Sequence, residues 1–135
     1  MKRAYRKQAN VLTPQQAAYL AGYVDGEGCI SANLRRRATS IDGRLEIGSV
    51  SRQQLEQFKK ETGVGSICTK KKRSKNARRL HVWNVSICSV ASVLEQLLPY
   101  LRLKKPQAEL MLMLSSYAYP SKITDRAQLK AIESF

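Results

Sequence analysis

Two acidic residues mark the place where this chain could do chemistry. Asp25 and Glu27 close the segment Leu20-Ala21-Gly22-Tyr23-Val24-Asp25-Gly26-Glu27-Gly28. The segment reads as the end of a helix, where the macrodipole is negative and acids are locally unfavourable. A divalent cation relieves that repulsion, and hard carboxylate oxygens suit Mg2+. Two solvated acids on a glycine-rich helix end are the structural alternative. Gly22 and Gly26 lie four apart with Ala21 beside Gly22. Glycine costs a helix about 1 kcal/mol relative to alanine. Close approach of another helix compensates, and so does a cap. Other chemistries have less support. His81 is the single histidine, and Cys29, Cys68 and Cys88 are far apart with no C-x-x-C pair. A zinc site is therefore not expected, and the cysteines read as buried reduced thiols of an intracellular protein. No Ser-His or Cys-His pairing suggests covalent catalysis.

The charge balance names a partner class. The chain has 135 residues, 43% hydrophobic, with 24 Lys and Arg against 10 acids, a net charge of +14. It can bury a core, yet its excess charge costs self-repulsion, which a polyanionic partner explains. Nucleic acid and an anionic membrane are the candidates. No apolar run approaches a membrane span, and no apolar stretch of a signal peptide follows the basic residues Met1 to Lys7. Neither a membrane nor a small-molecule substrate is expected.

These acids need elements to position them. Residues 1–12 form a basic arm, 13–118 a single folded domain, and 119–135 a tail with room for a short helix near Arg126 to Glu133. Thr13-Pro14-Gln15-Gln16 is a helix start, with Thr13 as cap. The helix runs from Pro14 to about Asp25, ended by Gly26 and Gly28. Cys29 to Arg37 and Arg44 to Ser49 alternate with period two and form a hairpin, with Asp42-Gly43 in its turn. Ser51 to Thr62 is a helix stopped by Gly63. Ser66 to Lys72 and Leu80 to Cys88 are strands, and Ser89 to Tyr100 and Pro106 to Tyr117 are helices. The order α-β-β-α-β-β-α-α predicts an α+β fold with a four-stranded, mostly antiparallel sheet.

The strands carry the charge. If Ile30, Ala32 and Leu34 face the core, Ser31, Asn33, Arg35 and Arg37 face outward together. Arg44 and Glu46 oppose Leu45 and Ile47 in the same way. With Ile67 inward, Ser66, Cys68, Lys70 and Lys72 point out. Lys70 to Arg79 also brings Arg73, Lys75, Arg78 and Arg79, and no acid occurs between Glu61 and Glu95. A localisation signal has this composition, but a run between two strands fits a hairpin tip that grips phosphates. A β-ribbon can enter the major groove, where Asn and Arg suit adenine and guanine edges. The return strand has two phases: His81, Trp83, Val85 and Ile87 share one parity, Leu80 and Val82 the other. A bulge is expected there, with Trp83 in the core.

The segment Leu20 to Gly28 resembles the signature of the LAGLIDADG homing endonucleases. Gly63-Val64-Gly65 and the run from Leu97 through Pro99-Tyr100-Leu101-Arg102-Leu103-Lys104-Lys105-Pro106 to Ala108 resemble the single-motif class of that family. The resemblance spans Leu12 to Tyr117. It implies an intron-encoded homodimer whose motif helices pack across a two-fold axis through Leu20, Ala21, Gly22 and Asp25. The two sheets would form a saddle over a long pseudo-palindromic site in double-stranded DNA. It implies Mg2+, with Mn2+ able to substitute, held by Glu27 and the Gly26 carbonyl, and it implies phosphodiester hydrolysis on both strands. Asp25 matches the motif's structural acid, and Lys104 a basic residue near the reacting phosphate. A polar residue after the second strand, often Gln, organises water in the family. Ser49, Ser51 and Gln53 are candidates for it, with Arg52 as the accompanying base. The family context is a bacterial cytoplasm or an organelle, chloroplast or mitochondrion. A protein of this fold that binds nucleic acid without cutting, such as an intron maturase or regulator, and a basic ribonucleoprotein component are the alternatives.

Overall fold

Thr13 starts the first helix through purely local bonds. Its Oγ1 accepts from the Gln16 amide at 3.1 Å, and Gln16 Oε1 accepts from the Thr13 amide at 2.9 Å. This is a complete capping box with Pro14 in the first turn. The computed structural model describes residues 7–34, 41–72 and 74–118. Helix α1 spans Pro14–Glu27 and so passes through Gly26, which was expected to end it. Gly28 alone makes the stop. A Cβ there would lie 2.7 Å from the Val24 carbonyl oxygen, so only glycine lets the chain swing directly from helix into strand.

The remaining elements are β1 (Gly28–Leu34), β2 (Ile41–Ser49), α2 (Arg52–Thr62), β3 (Ser66–Thr69), β4 (His81–Ser86), α3 (Ile87–Leu97), a 3-10 turn at Leu98–Tyr100, and α4 (Lys105–Ala118). The four strands form one antiparallel sheet in the order β1-β2-β4-β3. This is the α+β architecture the sequence predicts, with helices layered over one sheet face.

Several local expectations change. Asp42 and Gly43 do not turn; they pair with Asn33 and Ala32 inside the hairpin. Gly43 is there because α4 crosses the sheet above it: a Cβ would lie 2.9 Å from Met111 Cε and 3.1 Å from Ile87 Cδ1. No bulge interrupts β4, whose ladder with β2 runs unbroken from Ser86 to His81. Its two apolar parities face different surroundings. Trp83 and Val85 enter the core, while Val82 is covered on the outer face, where it pairs with Gly48 next to Leu80. Ile87 and Cys88 belong to α3, and Leu80 precedes the strand. Residues 7–12 are part of the folded body rather than a free arm. The Ala9 amide donates to Ser92 Oγ at 2.8 Å, the Asn10 amide to the Thr62 carbonyl at 2.7 Å, and the Leu12 amide to Gln96 Oε1 at 2.7 Å. The basic start and the tail with its expected helix lie outside the described residues, as do Arg35, Arg37 and Arg73.

The core lies between the sheet and the helices. Helix α1 buries Ala17, Leu20, Ala21 and Val24, a spacing of one helical stripe. These meet Leu45, Ile47, Leu55, Phe58, Trp83 and Leu94 in one continuous cluster. The Trp83 indole N–H donates to the Val64 carbonyl at 3.1 Å. Gly63 and Gly65 flank that carbonyl with φ of 72° and 92°. A Cβ at Gly65 would come within 2.4 Å of Trp83 Nε1 and 3.0 Å of the Asn84 carbonyl. One at Gly63 would meet only the movable Asn10 side chain. Gly65→Ala should therefore cost about 2–4 kcal/mol, from the left-handed backbone plus the clash, and Gly63→Ala only about 1 kcal/mol. Urea unfolding followed by tryptophan fluorescence measures both, and equal losses would refute the packing argument.

Candidate active site and nucleic-acid interface

The C-terminus of α1 is closed by the segment that leads into α4. Asp25 Oδ2 accepts from the Arg102 amide at 2.8 Å, and Oδ1 from the Leu103 and Lys104 amides at 3.2 and 2.9 Å. Lys104 Nζ returns two bonds, to the Val24 carbonyl at 3.1 Å and the Asp25 carbonyl at 2.9 Å. Asp25 is thus badly placed on its own helix but well placed at the start of α4, whose dipole favours an anion. Partial desolvation opposes its ionisation. The amides of Arg102, Lys104 and Leu103 and the Lys104 charge outweigh that, and hold the carboxyl below its ordinary value of 3.8. Lys104 was expected to face the reacting phosphate. Two of its three ammonium protons are committed to helix carbonyls, and one is left.

Glu27 differs from Asp25. It is exposed at the last helical position, and among the described residues its carboxylate has no hydrogen bond or ion pair. It opens on a cleft of about 430 Å3 lined also by Tyr23, Gly48, Ser49, Val50 and Leu80. A free carboxylate beside the exposed Gly26 carbonyl is a hard oxygen donor set that fits Mg2+. Among the described residues no three acidic, histidine or cysteine side chains converge, so a cation at Glu27 would need water, a phosphate or a second chain to complete its shell.

Of the polar candidates, Ser49 alone reaches this cleft. Its Oγ lies 3.2 Å from the Tyr23 hydroxyl and accepts from the Ser51 amide at 3.0 Å. Ser51 caps α2, its Oγ accepting from the Gln54 amide at 3.3 Å. Gln53 is exposed on α2, and Arg52 lines a different groove. The Arg52 guanidinium bonds Thr69 Oγ1 at 3.1 Å and pairs with Glu56 at 3.3 Å. Thr69 Oγ1 in turn meets His81 Nδ1 at 2.9 Å. Neither Gln53 nor Arg52 lines the Glu27 cleft, because helix α2 turns both away from it.

Leu20 and Ala21 do not offer themselves to a second chain either. They are 1% and 0% exposed, inside the chain's own core. The exposed stripe of α1 is Ala18, Gly22 and Gly26, with Tyr19 beside it. Among the described residues, nothing outside the helix's own backbone lies within 4 Å of a Cβ placed at Gly22 or Gly26. The two glycines therefore admit no other described element of this chain.

Two neighbouring cross-strand rows make much of the outer sheet face polar. One cross-strand row is Cys29, Glu46, Asn84 and Ser66, and the next is Ser31, Arg44 and Ser86. Asn33, Cys68 and Lys70 lie exposed on the same side, as expected, and Arg44 pairs with Glu46 at 3.7 Å. Lys72, Lys75, Arg78 and Arg79 are exposed in the connection between β3 and β4. Asn84, Ser86 and Asp42 join this face without having been foreseen. For Asn84 and Ser86 the signal was the parity of Trp83, since once the indole points inward its neighbours Val82 and Asn84 must point out; for Asp42 it was the shared parity with Arg44 and Glu46 on β2.

Fold and site together define an α+β protein with a largely polar outer sheet face, a basic β3–β4 connection and, among the described residues, an unpaired carboxylate at a helix end. The model of the LAGLIDADG-like domain matches residues 14–97, and the chain belongs to the LAGLIDADG family. The DNA endonuclease I-CvuI of Chlorella vulgaris is 33% identical over 104 residues, 72% of this chain and 62% of that protein. The chain thus spans less than two thirds of that relative's length. Crystalline I-CvuI in complex with its target, in the presence of calcium, is 30% identical with a TM-score of 0.64, over 79% of this chain and 69% of that one. The archaeal intron-encoded homing endonuclease I-Vdi141I, complexed with DNA, shares the fold at 20% identity and a TM-score of 0.60, over 76% and 67% of the two chains. No helix among the described residues is long and apolar enough to cross a membrane.

The Asp25 clamp has a testable acid limb. A native pKa below the unfolded one contributes stability above the ordinary value and loses it as pH falls through the native value. Asp25→Asn replaces one acceptor oxygen by an NH2 group facing a backbone amide, and should cost about 1–3 kcal/mol at neutral pH. Denaturant unfolding across the acid range should show a smaller pH dependence in the variant. An unchanged acid limb would mean that Asp25 is not the group responsible.

Proposed function

We propose that this chain is a site-specific DNA endonuclease that works as a homodimer and cuts both strands of a long pseudo-palindromic site with a divalent metal. The observation that carries the reading is the free Glu27 carboxylate at the end of a helix whose glycine stripe has no partner among the described residues. Pairing two such stripes about a two-fold axis would bring two Glu27 residues together, each beside its own sheet. Glycine and alanine allow that close backbone approach, and the cost of Gly22 and Gly26 inside a helix is then explained.

Each part of the chain has a place in this chemistry. The basic β3–β4 connection would bind phosphates, without regard to sequence. The outer strand face, with Asn33, Arg44, Asn84 and Ser86, would read base edges in the major groove. Glu27 and the Gly26 carbonyl would hold Mg2+, or Mn2+ in its place. Such an ion supplies a lowered pKa for an attacking water and neutralises phosphate charge. Asp25 and Lys104 keep the helix end that carries Glu27 in position, and the remaining Lys104 proton adds positive potential beside the phosphate. Each chain would cut one strand.

Glu27→Gln tests the reading, because it keeps size and polarity but removes the anionic ligand. Cleavage of a matched target with Mg2+ should fall by about a thousandfold or more, while DNA affinity stays within about threefold. Wild-type protein that binds its target but never cuts with Mg2+ or Mn2+ would place it among binding proteins of this fold. The dimer has its own check. Sedimentation at micromolar concentration should give a dimer, and Gly22→Arg, whose Cβ meets nothing within 4 Å among the described residues, should give a folded monomer. A wild-type monomer would contradict the stripe argument.

A further inference from the structure

Tyr23 stands one turn before Glu27 on α1, so both side chains project toward the same cleft. Its ring is held by aromatic packing, edge-on to Phe58 at 5.1 Å and tilted against Tyr19 at 6.1 Å. Its hydroxyl lies 3.2 Å from Ser49 Oγ, which also accepts from the Ser51 amide at 3.0 Å. Counting hydrogens shows what this arrangement can do. The two hydroxyls carry one hydrogen each, and one of these lies between them. The amide occupies an acceptor position on Ser49. Whichever hydroxyl donates to the other, one hydrogen is left over, in the cleft that Glu27 lines. The packed ring and the Ser51 amide hold the two oxygens that can carry it at the edge of that cleft.

We infer that Tyr23 is a positioning residue for phosphodiester hydrolysis: it holds the Ser49 hydroxyl so that the pair donates one hydrogen bond to the attacking water beside Glu27. The inference rests on the endonuclease reading and gives it the polar group that neither Gln53 nor Arg52 supplies. A preorganised donor of this kind costs nothing to reorient during reaction. The role belongs to the pair: losing either hydroxyl frees the other to rotate.

Single-turnover cleavage of a matched target tests it, using the full chain and Tyr23→Phe, Ser49→Ala, the double variant and Ser49→Thr. Tyr23→Phe keeps the ring and its packing, so the melting temperature should move little. Both single variants should cut about tenfold to a hundredfold more slowly at saturating protein, with DNA affinity unchanged. The double variant should be no slower than the slower single one, and Ser49→Thr should regain most of the rate. Tyr23→Phe cutting at the wild-type rate overturns the inference and leaves the endonuclease reading standing. So do losses that multiply in the double variant, and so does a loss confined to DNA affinity. Failure of the reading has a different signature, namely Glu27→Gln cutting as well as wild type, and the inference then falls with it.

Discussion

The C-terminus of α1 meets the N-terminus of α4, and the reciprocal bonds of Asp25 and Lys104 settle an electrostatic conflict there. A carboxylate at the negative end of one helix is unfavourable, yet the same carboxylate at the positive end of another is welcome. Asp25 satisfies three amides ahead of α4, and Lys104 satisfies two carbonyls of α1. With those groups tied down, α1 can stop abruptly at Gly28 and pass into β1 without a loop. Glu27 is therefore delivered to a defined place: beside the sheet, next to Ser49, and at the end of the open glycine stripe. Both the metal half-site and the dimer contact proposed for this chain depend on that closure.

Much of the fold was legible because its causes are local. The capping box at Thr13, the αL stop at Gly63 and the period-two alternation of β1 and β2 are written in neighbouring residues, and they appear where expected. What failed depends on distant parts of the chain. Asp42-Gly43 has turn composition, but Gly43 exists to admit Met111 from α4, 68 positions later in the chain and invisible to a local rule. The phase of β4 was ambiguous because Val82 and Trp83 are both buried, one on each side of the sheet. Only pairing with β2 decides between them.

The site divides in the same way. The family signature set the two acids apart, and in the structure Asp25 is tied to three amides while Glu27 carries no hydrogen bond or ion pair among the described residues. The polar partner was not, since the residues between β2 and α2 give no hint of helix rotation. Ser49 reaches the cleft because it ends a strand; Arg52 and Gln53 begin a helix that turns away. Leu20 and Ala21 were assigned to a second chain because the signature names them together with Gly22. Burial splits the signature into an inner stripe and an outer one, at Ala17-Leu20-Ala21-Val24 and Ala18-Gly22-Gly26.

The charge of the chain now has a geometric meaning. The cations that the sequence concentrates between Lys70 and Arg79 follow a strand of the polar sheet face, so phosphate contacts and base readout could act on one duplex. Each chain is proposed to bring one acid and to cut one strand. A mixed dimer, one chain wild type and the other Glu27→Gln, tests it most directly on a supercoiled plasmid bearing the target with Mg2+. Nicked circles should accumulate without becoming linear. Linear product at the wild-type rate, or a plasmid left uncut, would contradict it.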